Sequence, residues 1–211
     1  MVDISVNKQS SIRIAAGKIL YFDPWELPTG GDGDLILVTH EHHDHFSPAD
    51  VWKAAGEQAV FVAPLSMKEK FLADTCLPEE VCLFVEPGKA YEVDGAVIEA
   101  IPAYNLNKPF HTRERGWCGY AVTLDGTCYY VTGDTDDTPE VRAVACDVLL
   151  LPVGGTYTMT VEEAAACAAA MEPGKVIPTH YGPVVGTAED GKKFAAALQK
   201  LSPATPVEVL L

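Results

Sequence analysis

Apolar residues in this chain fall into short runs separated by turn-forming residues, a pattern that predicts many strands and only modest helices. In the first half, such runs predict strands around 12–15, 19–22, 35–38, 59–63, 81–85 and 96–101. Two helices interrupt them. One starts after Ser47, with Pro48 preset for the first helical position, and another follows Pro64 through Ser66 to Ala73. Glu86-Pro87-Gly88 and Asp94-Gly95 mark turns. The second half rhymes with this order. Strands are predicted at 119–124, 127–132 and 148–151, the first two joined by the hairpin signal Asp125-Gly126, with a short helix near 139–144. Thr160-Val161-Glu162-Glu163 is a capping box that opens an alanine-rich helix to Met171; Pro173-Gly174 stops it before a strand at 175–178, and a last helix spans 187–201.

No linker rich in Gly, Ser or Pro divides these elements, so the expectation is one α/β domain over residues 1–211. Two sheets packed face to face, with helices outside, would cover both apolar faces of the strands. The 211 residues, 48% of them hydrophobic, suit one well-buried domain and are few for two. The likeness between the halves lies in element order rather than in sequence, which makes it a weak repeat.

Charge narrows the partners. A formal net charge of −15 repels polyanions, which argues against nucleic acid and acidic membrane surfaces and favours a small-molecule substrate. The opening residues show no basic segment followed by an apolar one, and no apolar run reaches membrane-spanning length, so a cytoplasmic protein is expected. Oligomeric state cannot be read from the chain. Cys76, Cys82, Cys118, Cys128, Cys146 and Cys167 are scattered without a C-x-x-C pair and read as core thiols rather than as ligands or disulfides.

The chemistry concentrates at Thr39-His40-Glu41-His42-His43-Asp44-His45, between the run Leu35-Ile36-Leu37-Val38 and the helix start at Ser47. Four of the six histidines stand here with two carboxylates, a combination that is costly at the end of a buried strand unless something binds it. Imidazole and carboxylate together suit Zn, Mn or Fe. Residues i and i+2 of extended backbone point the same way, so His40 and His42 can reach one ion. The turn into the helix swings Asp44 and His45 toward a second position, which predicts two adjacent sites. The zincin pattern H-E-x-x-H does not apply, because Asp44 stands four residues after His40 and the segment follows a strand. His43 is expected to point away.

Two further strand ends carry ligand-type residues. Asp134 follows the apolar strand 129–132, and His180 follows 176–179. Taken singly, each is more often a turn or structural residue; on one rim of a sheet they would converge on the histidine cluster.

The segments Thr39 to His45, Gly133-Asp134-Thr135 and Thr179-His180-Tyr181-Gly182, in that order, resemble the metallo-β-lactamase superfamily and its H-x-H-x-D-H hallmark. Phe22-Asp23-Pro24 looks like that family's early D-P turn, and residues 151–159 are similar to a loop of its bacterial and archaeal metal-dependent hydrolases. The closest likeness is to the small UlaG-like branch. The resemblance implies a four-layer αββα sandwich of mixed, mostly antiparallel sheets with a dinuclear site on one rim. It also implies that His40 and His42 hold the first of two divalent ions with a third histidine, that Asp44, His45 and His180 hold the second, and that Asp134 bridges. Zn is expected first, with Mn or Fe as alternatives. The chain departs from the family after strand 96–101, where Pro102-Ala103-Tyr104-Asn105 stands in place of the third histidine. Either Asn105 replaces that ligand or the loop folds His111 back. His111 is preferred, since imidazole binds these metals better than a neutral amide. If it is not a ligand, His111 would face the substrate as a proton donor or lie on a solvent-exposed loop.

A metal-bound hydroxide would then attack a small ester, lactone or phosphodiester, with Asp44 orienting it. Tyr104, Tyr157 and Tyr181 are candidate further donors. Lys108, Arg113 and Arg115 flank His111 and would clamp an anionic substrate group, if they are not simply a solvated loop. A redox enzyme of the flavodiiron type would carry a carboxylate where His42 stands, and a nuclease would want a basic face. The remaining alternative is a non-catalytic metal-binding or regulatory protein on the same fold.

Overall fold

Leu35 and Leu37 face one side of their strand and Ile36 and Val38 the other, and all four are fully buried. A continuous apolar run is what a strand covered on both faces requires, and the rest of the architecture supplies the two covers. The structure is a computed structural model that describes residues 2–211. Its elements are β1 (Asp3–Lys8), β2 (Ser11–Ala16), β3 (Lys18–Phe22), β4 (Gly33–Leu37), α1 (Pro48–Ala54), β5 (Ala55–Pro64), α2 (Lys68–Thr75), β6 (Cys82–Val85), β7 (Ala90–Val93), β8 (Ala96–Pro102), β9 (Cys118–Leu124), β10 (Thr127–Val131), α3 (Pro139–Arg142), β11 (Val148–Pro152), α4 (Val161–Met171), β12 (Lys175–Thr179) and α5 (Asp190–Leu201).

Strands β1 to β6 form one sheet in chain order, and β12 to β7 form the other. Leu20, Leu35 and Leu37 of the first sheet meet Ile98, Tyr120, Leu150 and Ile177 of the second in a core between them. Phe46, Val51 and Phe71 cover the outside of the first sheet; Ala164, Ala168, Phe194 and Leu198 of α4 and α5 cover the outside of the second. The order helix, sheet, sheet, helix is the expected αββα sandwich. Among the described residues no helix is long and apolar enough to cross a membrane.

The pairing corrects one part of the expectation. Five strand pairs are antiparallel and five are parallel, so the sheets are mixed but not mostly antiparallel. The physical reason is the helices. α1, α2, α3 and α4 each cross from the end of one strand to the start of the next, and such crossovers pair strands in parallel. Parallel strands end on the same edge. The C-terminal ends of β3 and β4 in one sheet and of β10 and β12 in the other therefore open on one rim, which is where the ligand-type residues stand.

Two edge strands escaped the apolar pattern. β1 and β7 expose alternate residues and bury little, so their sequences carry no run to notice. α5 begins at Asp190 rather than 187, because the Asp190 carboxylate accepts hydrogen bonds from Thr187 N and Oγ1 at 2.7 and 2.8 Å and closes a turn first. Residues 65–67 form a 3-10 turn before α2, which runs on to Thr75.

Candidate metal centre

The backbone beyond β4 explains how one short segment serves two positions. Val38 N still bonds across to Val62 O, keeping the chain extended; then His45 N and Phe46 N both donate to His42 O, closing a tight turn. Pro48 and the Ser47 cap start α1 directly behind it. His40 and His42 leave the extended part on one side, with Nε2 of the first 3.1 Å from Nδ1 of the second. Asp44 and His45 leave the turn on another.

His111 joins the first pair, its Nε2 3.2 Å from His42 Nδ1. His180 joins the second, its Nε2 3.3 Å from Asp44 Oδ2, with His45 Nε2 3.7 Å from the same oxygen. Asp134 stands between the groups: Oδ2 lies 3.3 Å from both His111 Nε2 and His180 Nε2 and 3.9 Å from His40 Nε2, while Oδ1 lies 3.4 Å from His45 Nε2. Within each of three overlapping sets, His40-His42-His111, His40-His45-Asp134 and Asp44-His45-His180, the ligand atoms lie within 4.8 Å of one another. Except for half-buried His42, these residues are buried.

A surrounding shell fixes the rings. Asp23, fully buried at the end of β3, accepts from Thr39 N, from Thr39 Oγ1 and from His45 Nδ1, each at 2.7 Å. Because the Thr39 hydroxyl donates to Asp23, it accepts from His40 Nδ1 at 3.0 Å, which leaves His40 Nε2 free to face the cluster. Asn105 is the corresponding partner of His111: Oδ1 accepts from the ring Nδ1 at 3.2 Å and from the backbone N at 3.1 Å. Asn105 is itself held through Nδ2 by Asp136 and by Tyr157 O. It therefore supports His111 rather than replacing it. The Trp117 ring packs 5.0 Å from the His40 and His42 rings and 5.6 Å from that of His111.

Electrostatics follow this arrangement. Burial opposes the charged form of Asp134, but His180 and His45 outweigh it and hold the carboxyl well below its usual range. Burial likewise opposes a charged His45, yet Asp134 and Asp23 prevail and raise its pKa well above that of a free imidazole. His40 goes the other way, depressed by burial and by its histidine neighbours. A field that stabilises positive charge at His45 Nε2 also suits a cation beside it. His45 Nε2 and Asp134 Oδ1 are buried without a hydrogen-bond partner, and these two atoms face one another. Orphaned donor atoms amid nitrogen and oxygen ligands are what a transition-metal site requires.

The cost of the arrangement appears in the backbone. Gln9, Asp23 and His180 are non-glycine residues in the left-handed region, at φ 48°, 45° and 55°, and all three are fully or almost fully buried around this site. Strain of that kind is characteristic of functional sites.

A cavity of about 220 Å³ opens onto the cluster, lined by His42, Asp44, His111, Asp134 and His180 on one side and by Phe110, Tyr157 and Val184 on the other. Phe110 and Tyr157 meet edge to face at 4.8 Å. His43 also lines the cavity, its side chain 77% exposed and its Nδ1 3.8 Å from Asp44 Oδ1. The three loop cations do not reach this wall. Lys108 pairs with Asp136, Arg113 with Glu140 while stacking over Tyr104, and Arg115 with Glu41 while lying over Trp117. Each of the three cations therefore has a carboxylate partner of its own outside the cavity wall. Of the three tyrosines, Tyr104 is bound to Glu140 and Arg113, Tyr181 donates to Leu211 O, and only Tyr157 lines the cavity.

Sequence reasoning passed over Asp23 as a site residue, although a carboxylate at the end of β3, on the rim that β4 shares, is the same signal that singled out Asp134. For Phe110 and Val184 no signal exists, because loop residues show their facing only once folded.

The beta-lactamase superfamily domain matches residues 5–180, and the chain belongs to that family. A "UPF0173 metal-dependent hydrolase" of Thermococcus onnurineus is 28% identical over all of this chain and 99% of its own length. One of the same description from Pyrococcus furiosus is 34% identical over 84% of this chain and 80% of its own. Igni18, a metallo hydrolase from Ignicoccus hospitalis, superposes with a TM-score of 0.79 at 24% identity, covering 99% of this chain and 94% of its own.

Proposed function

We propose that this metal-dependent hydrolase of the β-lactamase superfamily works through two adjacent divalent ions. His40, His42 and His111 hold the first, Asp44, His45 and His180 the second, and Asp134 is shared. The observation that carries the reading is the position of Asp134, one carboxylate oxygen of which lies within 3.3 Å of histidines from both groups. The all-nitrogen-and-oxygen donor set favours Zn and is compatible with Mn or Fe.

When bound, such ions supply Lewis acidity that activates water as the nucleophile and polarises the oxygen under attack. The protein's residues do the rest. Asp44, at the cavity floor, accepts a hydrogen bond and so orients the attacking water. Tyr157 offers its phenol from the opposite wall, where it can donate to the substrate oxygen. Phe110 and Val184 exclude water from that side. The substrate is a small ester, lactone or phosphodiester. With no Lys or Arg among the residues lining the cavity, an uncharged apolar group is favoured over an anionic one at the end away from the cluster.

Metal analysis and a hydrolysis panel test this together. Two ions per chain after loading with Zn or Mn, with turnover of an ester, lactone or phosphodiester, are expected. A stoichiometry well below one removes the dinuclear reading; full loading without turnover across the panel leaves a binding or regulatory protein.

A further inference from the structure

Three of the histidines whose Nε2 faces the cluster have a partner for the other ring nitrogen: His45 has Asp23, His40 has Thr39 and His111 has Asn105. His180 has none, and its Nδ1 is buried without a hydrogen-bond partner. Metal-ligating histidines almost always donate from that second nitrogen, which fixes the ring and raises its basicity.

One neighbouring side chain is in the same condition. Gln9 is fully buried, and neither Oε1 nor Nε2 has a partner. Its backbone oxygen accepts from His180 N at 3.0 Å, which pins the turn between β1 and β2 against the end of β12. That turn is strained, with Gln9 at φ 48°. A glycine would relieve the strain and an apolar side chain would remove the unmade hydrogen bonds, yet a glutamine stands there. Asp23 is not a competing acceptor, since Thr39 and His45 already occupy its carboxylate.

We propose that Gln9 is the positioning residue of His180, its carboxamide oxygen accepting from the ring Nδ1–H so that Nε2 is aimed at the second ion position. The proposal rests on the two-ion reading above, and its test is arranged so that the two can fail separately.

Gln9→Leu removes the acceptor at similar volume together with both carboxamide atoms, leaving His180 Nδ1 as the buried group without a partner. Gln9→Glu keeps an acceptor oxygen. In calorimetric titration with zinc, Gln9→Leu weakens one of the two ions by about 10- to 100-fold and leaves the other unchanged, while Gln9→Glu binds at least as tightly as the wild type. Equal affinities in the wild type and Gln9→Leu, or a Gln9→Glu variant as weak as Gln9→Leu, overturn the proposal. A second measurement needs no ion. In metal-free protein, nitrogen-15 NMR reads exchange of the His180 Nδ1 proton. Faster exchange in Gln9→Leu supports the contact, and unchanged exchange overturns it. That arm stands even if wild-type protein takes up fewer than two zinc ions, the result that would remove the two-ion reading instead.

Discussion

The two groups of candidate ligands are built to different standards. Asp44, His45 and His180 are buried, include a carboxylate of their own, and lean on buried Asp23. His40, His42 and His111 have no carboxylate but the shared Asp134; His42 is half-buried, and His111 comes from a loop whose anchor is a neutral amide, Asn105. On the two-ion reading proposed above, charge and burial would favour the second group as the firmly held ion position, and openness would favour the first as the exchangeable one that meets the substrate.

Breaking the shared element gives the largest expected effect. Asp134→Ala should lose both ions and reduce hydrolysis by roughly 10³-fold or more, since Lewis acidity contributes several kcal/mol to such reactions. Metal content and circular dichroism measured together check it, with the fold expected to survive because the core lies between the sheets. Retention of two ions would show that the halves do not depend on a common ligand.

Next come the variants that should separate the halves. His180→Ala is expected to remove the firmly held ion and abolish turnover. His111→Ala should weaken only the other ion, by at least about 10- to 100-fold. If His111 instead donates a proton to the leaving group, metal content stays normal and the rate falls by about 10² to 10⁴.

Asp23→Asn sharpens the contrast between a charged anchor and a neutral one. It should weaken the second ion by about 10- to 100-fold while the first is untouched, making the second group resemble the first. The raised pKa of His45 gives a related sign. At neutral pH the metal-free ring carries a proton that the ion must displace, so loading releases protons and affinity rises as pH increases through that raised value. Calorimetry in buffers of different ionisation enthalpy measures the release, and none at His45 would contradict the assignment.

The smallest effect is expected at the rim. Arg113→Ala breaks an exposed pair with Glu140, worth about 0–1 kcal/mol, and should leave KM for anionic and neutral substrates alike. A rise in KM confined to anionic substrates would restore the clamp that the pairing of Arg113 argues against.

Sequence reading reached the part of this site that lies at strand ends. His40, His42, Asp44, His45, Asp134 and His180 each follow an apolar run, and the crossover helices bring those ends to one rim. His111 was legible only as a surplus histidine, because the loop between β8, which ends at Pro102, and the 3-10 turn Arg113–Arg115 carries no periodicity to orient it. The supporting residues were illegible for a different reason. Thr39 and Asn105 act through side-chain hydrogen bonds, to Asp23 and His40 in one case and to His111, Asp136 and Tyr157 in the other, and nothing in a threonine or an asparagine by itself announces its partners. The same holds for the loop cations, whose charges were plain in the sequence while Asp136, Glu140 and Glu41, which neutralise them, were separate in the chain.

The left-handed backbone at Gln9, Asp23 and His180 sets selection for heat resistance against selection for activity. Each such residue costs roughly 1–2 kcal/mol relative to a relaxed backbone. Glycine adopts that conformation freely, but it carries no ligand, no anchor and no carboxamide. A library screened only for survival at high temperature without metal should therefore drift toward glycine at these positions, and its most robust members should be those that can no longer bind an ion.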